Sequence, residues 1–204
     1  MQDRRYDRLN LSIHEYFFAK TLDKVRPGGV VAFVTSCYTM DKRSGNVRKY
    51  IAQRAELLGA IRLPNDTFKA AAGTEVVSDI LFLQKRDRIV DIEPDWVQLG
   101  TDENGILMNR YFVEHPEMIL GEMKMVSGRF GPEATCVPYE GADLAGQLGE
   151  AVSNIHGELT AYEVEDELAE EDNSIPADPT VRNFSYTVLD DKIYFRRPLP
   201  GGRG

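Results

Sequence analysis

Residues 22–36 read LDKVRPGGVVAFVTS, and the fold class turns on them. A helix-compatible segment meets Pro27-Gly28-Gly29, which stops it, and an apolar run rich in β-branched side chains, Val30 to Ser36, follows at once. A strand that is apolar on both sides belongs inside a sheet covered on both faces. Upstream, Ile13, Tyr16, Phe17, Leu22 and Val25 recur close to a 3.6-residue period. Ser12 and Glu15 have capping-box spacing, so the helix is expected to start at Asn10 or Ser12, with His14 packed among its apolar neighbours. Downstream, residues 37–45 read as a loop, and Asn46 to Ala55 as a helix with Val47, Tyr50 and Ile51 inward and Arg48, Lys49 and Arg54 outward. Leu57–Leu63 and Val76–Gln84 read as strands around a loop that holds Phe68 and the small-residue run Ala70-Ala71-Ala72-Gly73. Helix, buried strand, helix, strand, loop, strand is the rhythm of an open α/β sheet with an antiparallel edge.

Beyond Arg88 the pattern predicts a smaller α+β region. Trp96 to Leu99 reads as a short strand, Asn109 to Leu120 as a helix interrupted near Pro116, and Ala142 to Leu159 as a helix striped by Leu144, Leu148, Val152 and Ile155. Met123–Val126 and Thr135–Val137 flank Gly128-Arg129-Phe130-Gly131-Pro132 as a hairpin, and Phe184–Leu189 and Lys192–Phe195 flank Asp190-Asp191 as another. The expected organisation is an α/β domain over 1–88, an α+β extension over 89–160, an acidic linker over 161–181, and a strand pair with a frayed tail over 182–204.

The 204 residues are 42% hydrophobic and 28% charged, which fits a globular protein and excludes collagen-like and disulfide-scaffold classes. No apolar run reaches the ~18 residues of a membrane helix. The N-terminal MQDRRYDRLN has no apolar leader core, so a cytoplasmic location with no membrane partner is expected. Cys37 and Cys136 lie 99 positions apart without CxxC spacing, and read as free thiols. The net charge of -9 conceals an asymmetry: residues 1–88 carry 16 Lys/Arg against 10 Asp/Glu, whereas residues 130–181 carry 13 Asp/Glu and no Lys or Arg. The basic segment suits a polyanion, or else forms solvated helix faces.

Standard catalytic spacings are missing: no GxGxxG, no GxxxxGK[ST], no HExxH and no GxSxG occurs. A longer pattern does stand out. Residues 9–40 read LNLSIHEYFFAKTLDKVRPGGVVAFVTSCYTM, and residues 47–86 read VRKYIAQRAELLGAIRLPNDTFKAAAGTEVVSDILFLQKR. Together they resemble the C-terminal half of the catalytic domain of N6-adenine DNA methyltransferases. The type I modification-subunit branch is nearest, especially the methylase regions of large helicase–methylase proteins on bacterial mobile elements. In that family a helix ending in an "LkpGG" turn feeds a strand "vvafvts", and "lxaairLPxxxFxxxaGTxvxtdIlflxK" follows one helix later; Leu22–Gly29, Val30–Ser36 and Leu57–Lys85 stand in those places. The resemblance implies the distal half of a Rossmann-like methyltransferase sheet. The family's glycine-rich S-adenosylmethionine loop and its Asn-Pro-Pro-Phe/Tyr motif are absent, and no Asn-Pro pair occurs anywhere. The chain is therefore expected to be the back half of such an enzyme, cut out or separated by a frame break. On that expectation it is inactive alone, binds no S-adenosylmethionine alone, and has the missing N-terminal half as a partner.

Methyl transfer to an adenine amine requires the base to leave the duplex and stack in a pocket. The resemblance implies that Phe68, the aromatic of the "LPxxxF" loop, lies beside the flipped base; an ordinary core phenylalanine is the competing reading. Lys42, Arg43, Arg48 and Lys49 follow the end of a strand, where ligands of open α/β sheets collect, and are candidates for DNA phosphates or else a solvated surface. Ala70–Gly73 either admits a ligand close to the backbone or serves as a connector. Two other readings stay open: a non-catalytic nucleic-acid or protein-interaction module, and a remnant whose unpaired sheet edge recruits a second copy.

Overall fold

Pro27-Gly28-Gly29 does stop the first helix: in the computed structural model α1 spans Ile13–Lys24 and β1 spans Val30–Ser36. The structure describes residues 6, 11–128, 131–162, 175, 180–190 and 192–196. Most of the acidic segment 161–181, the Arg129-Phe130 hairpin tip, Asp191 and the tail 197–204 lie outside them. The predicted capping box is present, with the Ser12 N–H donating to Glu15 Oε2 at 2.6 Å. The buried stripe of α1 is Glu15, Phe18, Ala19 and Leu22. Ile13, Phe17 and His14 are exposed, so the stripe sits round the helix from where hydrophobicity alone puts it. Glu15 turns inward because it serves both the cap and the Lys42 ammonium, which donates to it at 2.8 Å.

Glu15 also carries a pH signature. Burial pushes its carboxyl up, but the bonds from Lys42 and Ser12 outweigh this and hold it below the usual glutamate range. A carboxyl whose pKa is lower folded than unfolded contributes fully above its ordinary value of 4.5 and loses that contribution as the pH falls through the folded value. Glu15→Gln is expected to cost about 1–2 kcal/mol at pH 7. The deficit against the native chain should shrink below pH 4.5, read by denaturant midpoints at the two pH values. A deficit equal at both would mean that the carboxylate charge is not what Glu15 supplies.

Between β1 and β2 (Ala55–Leu63) the chain crosses over through α2 (Tyr38–Asp41) and α3 (Asn46–Ala52). Part of the segment expected to be loop, 37–45, is thus helical. After α4 (Lys69–Ala72), β3 (Ser78–Lys85) inserts between the other two, antiparallel to both, in the order β1-β3-β2. The antiparallel strand is therefore central, and β1 and β2, parallel to each other, are the outer strands. β3 returns from β2 through a loop, so it pairs antiparallel with β2 and offers its other side to β1. Phe18, Leu22, Met40, Ile51, Ala60, Ile61, Leu81 and Leu83 form the core beside the sheet.

The two outer edges differ. β2 is met at one point, where the Leu120 N–H donates to the Arg62 carbonyl at 2.9 Å. No described strand lies outside β1. Contrary to the expected cover on both faces, Val31 and Thr35 are buried while Val30 and Val34 are 52% and 58% exposed. Only one face of β1 is packed.

Residues 89–162 pack on the same core through Trp96, Val97, Ile106, Met108, Phe112 and Met118. Trp96 lies in a 3-10 turn, Asp95–Val97, not in a strand; β4 (Leu99–Thr101) follows and pairs with β5 (Leu107–Asn109). Asn109 explains the turn, since its amide donates to the carbonyls of both Trp96 and Met40 at 2.9 Å. α5 (Arg110–Glu114) ends before Pro116, as the break in the pattern requires. The first hairpin forms from β6 (Glu122–Gly128) and β7 (Gly131–Val137), and α6 (Leu144–Ser153) turns Leu144, Leu148 and Ala151 toward the core while Val152 is exposed. The chain divides into two compact units, Met1–Tyr162 and Glu163–Gly204. In the second, β8 (Tyr186–Leu189) pairs with β9 (Lys192–Phe195), as expected. All four sheets are built from antiparallel strand pairs, and with the helices they make the described chain a mixed α and β structure.

Candidate nucleic-acid interface

Because β1 and β2 are parallel, both end on one side of the sheet, at Ser36 and Leu63, the side on which ligands of open α/β sheets collect. Two segments leave from there: α2 with residues 42–45, and the loop 64–77. The loop is pinned. Its Asn65 N–H donates to the Cys136 carbonyl and its Asn65 carbonyl accepts from the Val76 N–H, both at 2.8 Å. The Asn65 amide donates to Thr135 Oγ1 at 3.1 Å and the Thr67 hydroxyl to the Pro64 carbonyl at 2.8 Å. Phe68 stands at the entry of α4, half-buried and packed against the core, so one part of it is fixed while another faces outward. Lys69 to Gly73 are exposed. Gly73 closes α4 at φ +65°, a left-handed turn that favours glycine.

Beneath this surface lies a buried ion network. Arg62, fully buried in β2, donates from Nε and Nη2 to the two Asp79 oxygens, each at 2.9 Å, and Nη2 also pairs with Asp41 Oδ2 at 2.9 Å. Its guanidinium carbon sits 4.3 Å from the Phe112 ring centroid. Burial works against the Arg62 charge, but the Asp79 and Asp41 carboxylates outweigh it and raise Arg62 well above its usual value. Asp41 also accepts the Asn109 N–H at 2.8 Å, so α2 is locked to β2 and β5 together. Asp41 and Asp79 are therefore occupied by structure. The nearby thiols are inert as nucleophiles at neutral pH: burial pushes both Cys37 and Cys136 up to about 12.

The four basic candidates do not act alike. Arg48 is a correction, because it is buried and donates to the carbonyls of Val97 at 2.8 Å and Lys42 at 2.7 Å. It points inward because residues 94–97 pass beside α3 and present a carbonyl to it. Lys42 pairs with Glu15, and Lys49 pairs with Glu93 at 2.7 Å. Arg43 is exposed in the segment between α2 and α3. The sequence reading passed over Tyr38, the first residue of α2, which is 69% exposed beside the end of β1. Its signal was an aromatic directly following a buried strand, hidden by the reading of 37–45 as loop. Among the described residues, no three His, Cys, Asp or Glu side chains come together as metal ligands would, and no helix is long and apolar enough to cross a membrane. The site thus offers ring surfaces from Tyr38 and Phe68 and the Arg43 cation.

The chain resembles a phage protein. Over 71 residues it is 37% identical to "Defense against restriction protein B" of Escherichia phage P1. The aligned part is 34% of this chain and 3% of the length of that protein, so the chain spans a small portion of the relative it matches. No protein-family model matches the chain, and no solved structure matches it.

Proposed function

We propose that the chain is the distal part of an S-adenosylmethionine-dependent DNA adenine-N6 methyltransferase, a partial Rossmann-like sheet that contributes one wall of the base pocket and transfers no methyl group alone. The observation that carries the reading is Phe68, half-buried in a pinned loop at the end where both parallel strands finish. A flipped adenine needs such a fixed ring to stack on. Tyr38 adds a second aromatic on the same side, and Arg43 a cation for the backbone of the strand from which the base leaves. The P1 relative's printed name supports the same context, since methylation of adenine N6 alters the donor that a duplex presents in its major groove to a restriction enzyme.

The cofactor does not fit the residues present. The glycines that flank β1 and open α3 leave no open cradle: an added Cβ would meet Val25 at Gly29, Tyr162 at Gly28 and the Val97 carbonyl at Gly45. S-adenosylmethionine is assigned to the remainder of the parent enzyme. A non-catalytic interaction module is the second reading, favoured by the outer edge of β1, beside which no described strand lies.

The test is to join the chain to a front half that carries the glycine-rich loop and Asn-Pro-Pro-Phe, and to follow transfer of labelled methyl groups to adenine in duplex DNA. The joined protein is expected to be active and the chain alone silent, with Phe68→Ala in the joined protein lowering kcat about 10- to 100-fold through lost stacking. A joined protein that binds cofactor and DNA yet transfers nothing would sink the proposal and leave the interaction module in its place.

A further inference from the structure

Helix α2 has four residues, far fewer than a helix needs to stand alone, yet it is fastened along its whole length. Just before it, the Cys37 N–H donates to the Val77 carbonyl at 3.0 Å. Thr39, buried, shares a hydroxyl–hydroxyl bond of 2.8 Å with Thr35 of β1. Met40 is fully buried, and its carbonyl accepts from the Asn109 amide at 2.9 Å. Asp41 takes the Asn109 N–H on one oxygen at 2.8 Å and the Arg62 guanidinium on the other at 2.9 Å. Just after it, the Lys42 carbonyl accepts from Arg48 at 2.7 Å. Of the four residues only Tyr38 is exposed. A buried ion pair adds little net stability over an apolar pair of the same shape, so the worth of this one lies in the place it fixes. A contact surface gains most when supporting bonds of this kind hold its side chain still.

We infer that Asp41 is a positioning residue for DNA recognition. Through Arg62 and Asn109 it holds α2 in one place, and α2 presents the Tyr38 ring to a base uncovered where the adenine leaves the duplex. The inference rests on the methyltransferase reading for its partner, DNA, and adds to it the residue that fixes the second ring. Asp41 itself meets neither base nor phosphate, because both its oxygens are engaged inward. Charge and position therefore make opposite forecasts for Asp41→Asn. Removing an anion from a surface that meets phosphates tightens binding by charge alone. Releasing α2 weakens it through Tyr38.

The experiment is a double-mutant cycle on the joined protein of the transfer assay, which contains the full chain. It reads the Kd for a short labelled duplex whose target adenine faces an abasic position, so that the base leaves at little cost. Tyr38→Ala is expected to weaken binding about tenfold through lost stacking. Asp41→Asn, whose amide oxygen can still accept the Asn109 N–H, should weaken it about threefold to tenfold, and less than about twofold once Tyr38 is already alanine. Thr39→Val frees the same turn from β1 without touching a charge and should behave like Asp41→Asn. Thr39→Ser keeps the hydroxyl bond and should bind as the native residue does. Equal losses from Asp41→Asn with and without the Tyr38 ring would overturn the inference, since Asp41 would then act through the fold at large. Tighter binding in Asp41→Asn would overturn it too, as would native affinity in Tyr38→Ala. The cycle needs no methyl transfer. A joined protein that shows the coupling yet transfers nothing sinks the methyltransferase reading alone. One that transfers methyl groups with additive losses sinks this inference alone, and one with no affinity for the duplex sinks both.

Discussion

Arg62→Ala is expected to bring the protein to the edge of unfolding, with a loss of about 3–5 kcal/mol. Arg62 is fully buried, and its removal leaves the Asp79 carboxylate buried without a cation and deprives Asp41 of one of its partners. Domains of this size are stable by about 5–15 kcal/mol in total, so one such change removes a large share. Trp96, packed in the same core, reports unfolding in urea by its fluorescence. Arg62→Lys should recover only part of the loss, because an ammonium cannot make the paired Nε and Nη2 bonds to Asp79. The decisive comparison is the double change Arg62→Met/Asp79→Leu, which removes both charges and should be milder than either single change, since an apolar pair replaces a buried ion pair at little cost. A single alanine variant as stable as the native chain would mean that the network is not what locks α2 and β3 to β2.

That network was legible and went unread. Arginine in the apolar run LLGAIRL and aspartate in VVSDILFL are charges where a buried strand tolerates none, and two opposite charges so placed must meet or be neutralised. They are partners in the β2–β3 register, Arg62 opposite Asp79. β1 and the two hairpins came through because apolar runs, glycines and prolines are local signals, whereas β5 was not expected and β4 begins where the stretch read as a strand ends. What failed was contact between distant segments. Arg48 looked outward on α3 because the carbonyl it serves, Val97, is 49 residues away in a stretch that pattern reading made a strand. Trp96 took its place in a turn only through the Asn109 amide. The position of β3 between β1 and β2 is equally invisible locally, since nothing in Ser78–Lys85 says which neighbours it takes. At the candidate site Phe68 entered through the resemblance of its loop, while Tyr38 needed the helix that turns it outward.

The isolated chain is expected to self-associate through β1, giving an average mass in light scattering that rises with concentration from 23.0 kDa toward twice that value. The register fixes which backbone groups are involved. Beyond the two ends of β1, the Lys85 N–H donates to the Gly29 carbonyl and the Cys37 N–H to the Val77 carbonyl, so the odd-numbered residues Val31, Phe33 and Thr35 face β3 in the alternating antiparallel pattern. Val30, Ala32, Val34 and Ser36 then direct their N–H and C=O groups to the open edge. Their side chains share the face on which Val30 and Val34 are exposed. A second copy related by a two-fold axis at Phe33 would set Val30 opposite Ser36 and Ala32 opposite Val34, matching every outward donor to an acceptor and continuing the apolar stripe. Natural edges are guarded by proline, bulges or charge, and β1 has none of these between its ends. Val34→Lys supplies the missing guard in the middle of the stripe and should hold the chain monomeric at concentrations where the native chain pairs. It should do so without loss of stability, because the position is already more than half exposed. A native chain that stays monomeric up to its solubility limit would show that this edge does not pair. The front half joined in the transfer assay gives the matching control: if it docks on this edge, the joined protein is a monomer with no mutation at all.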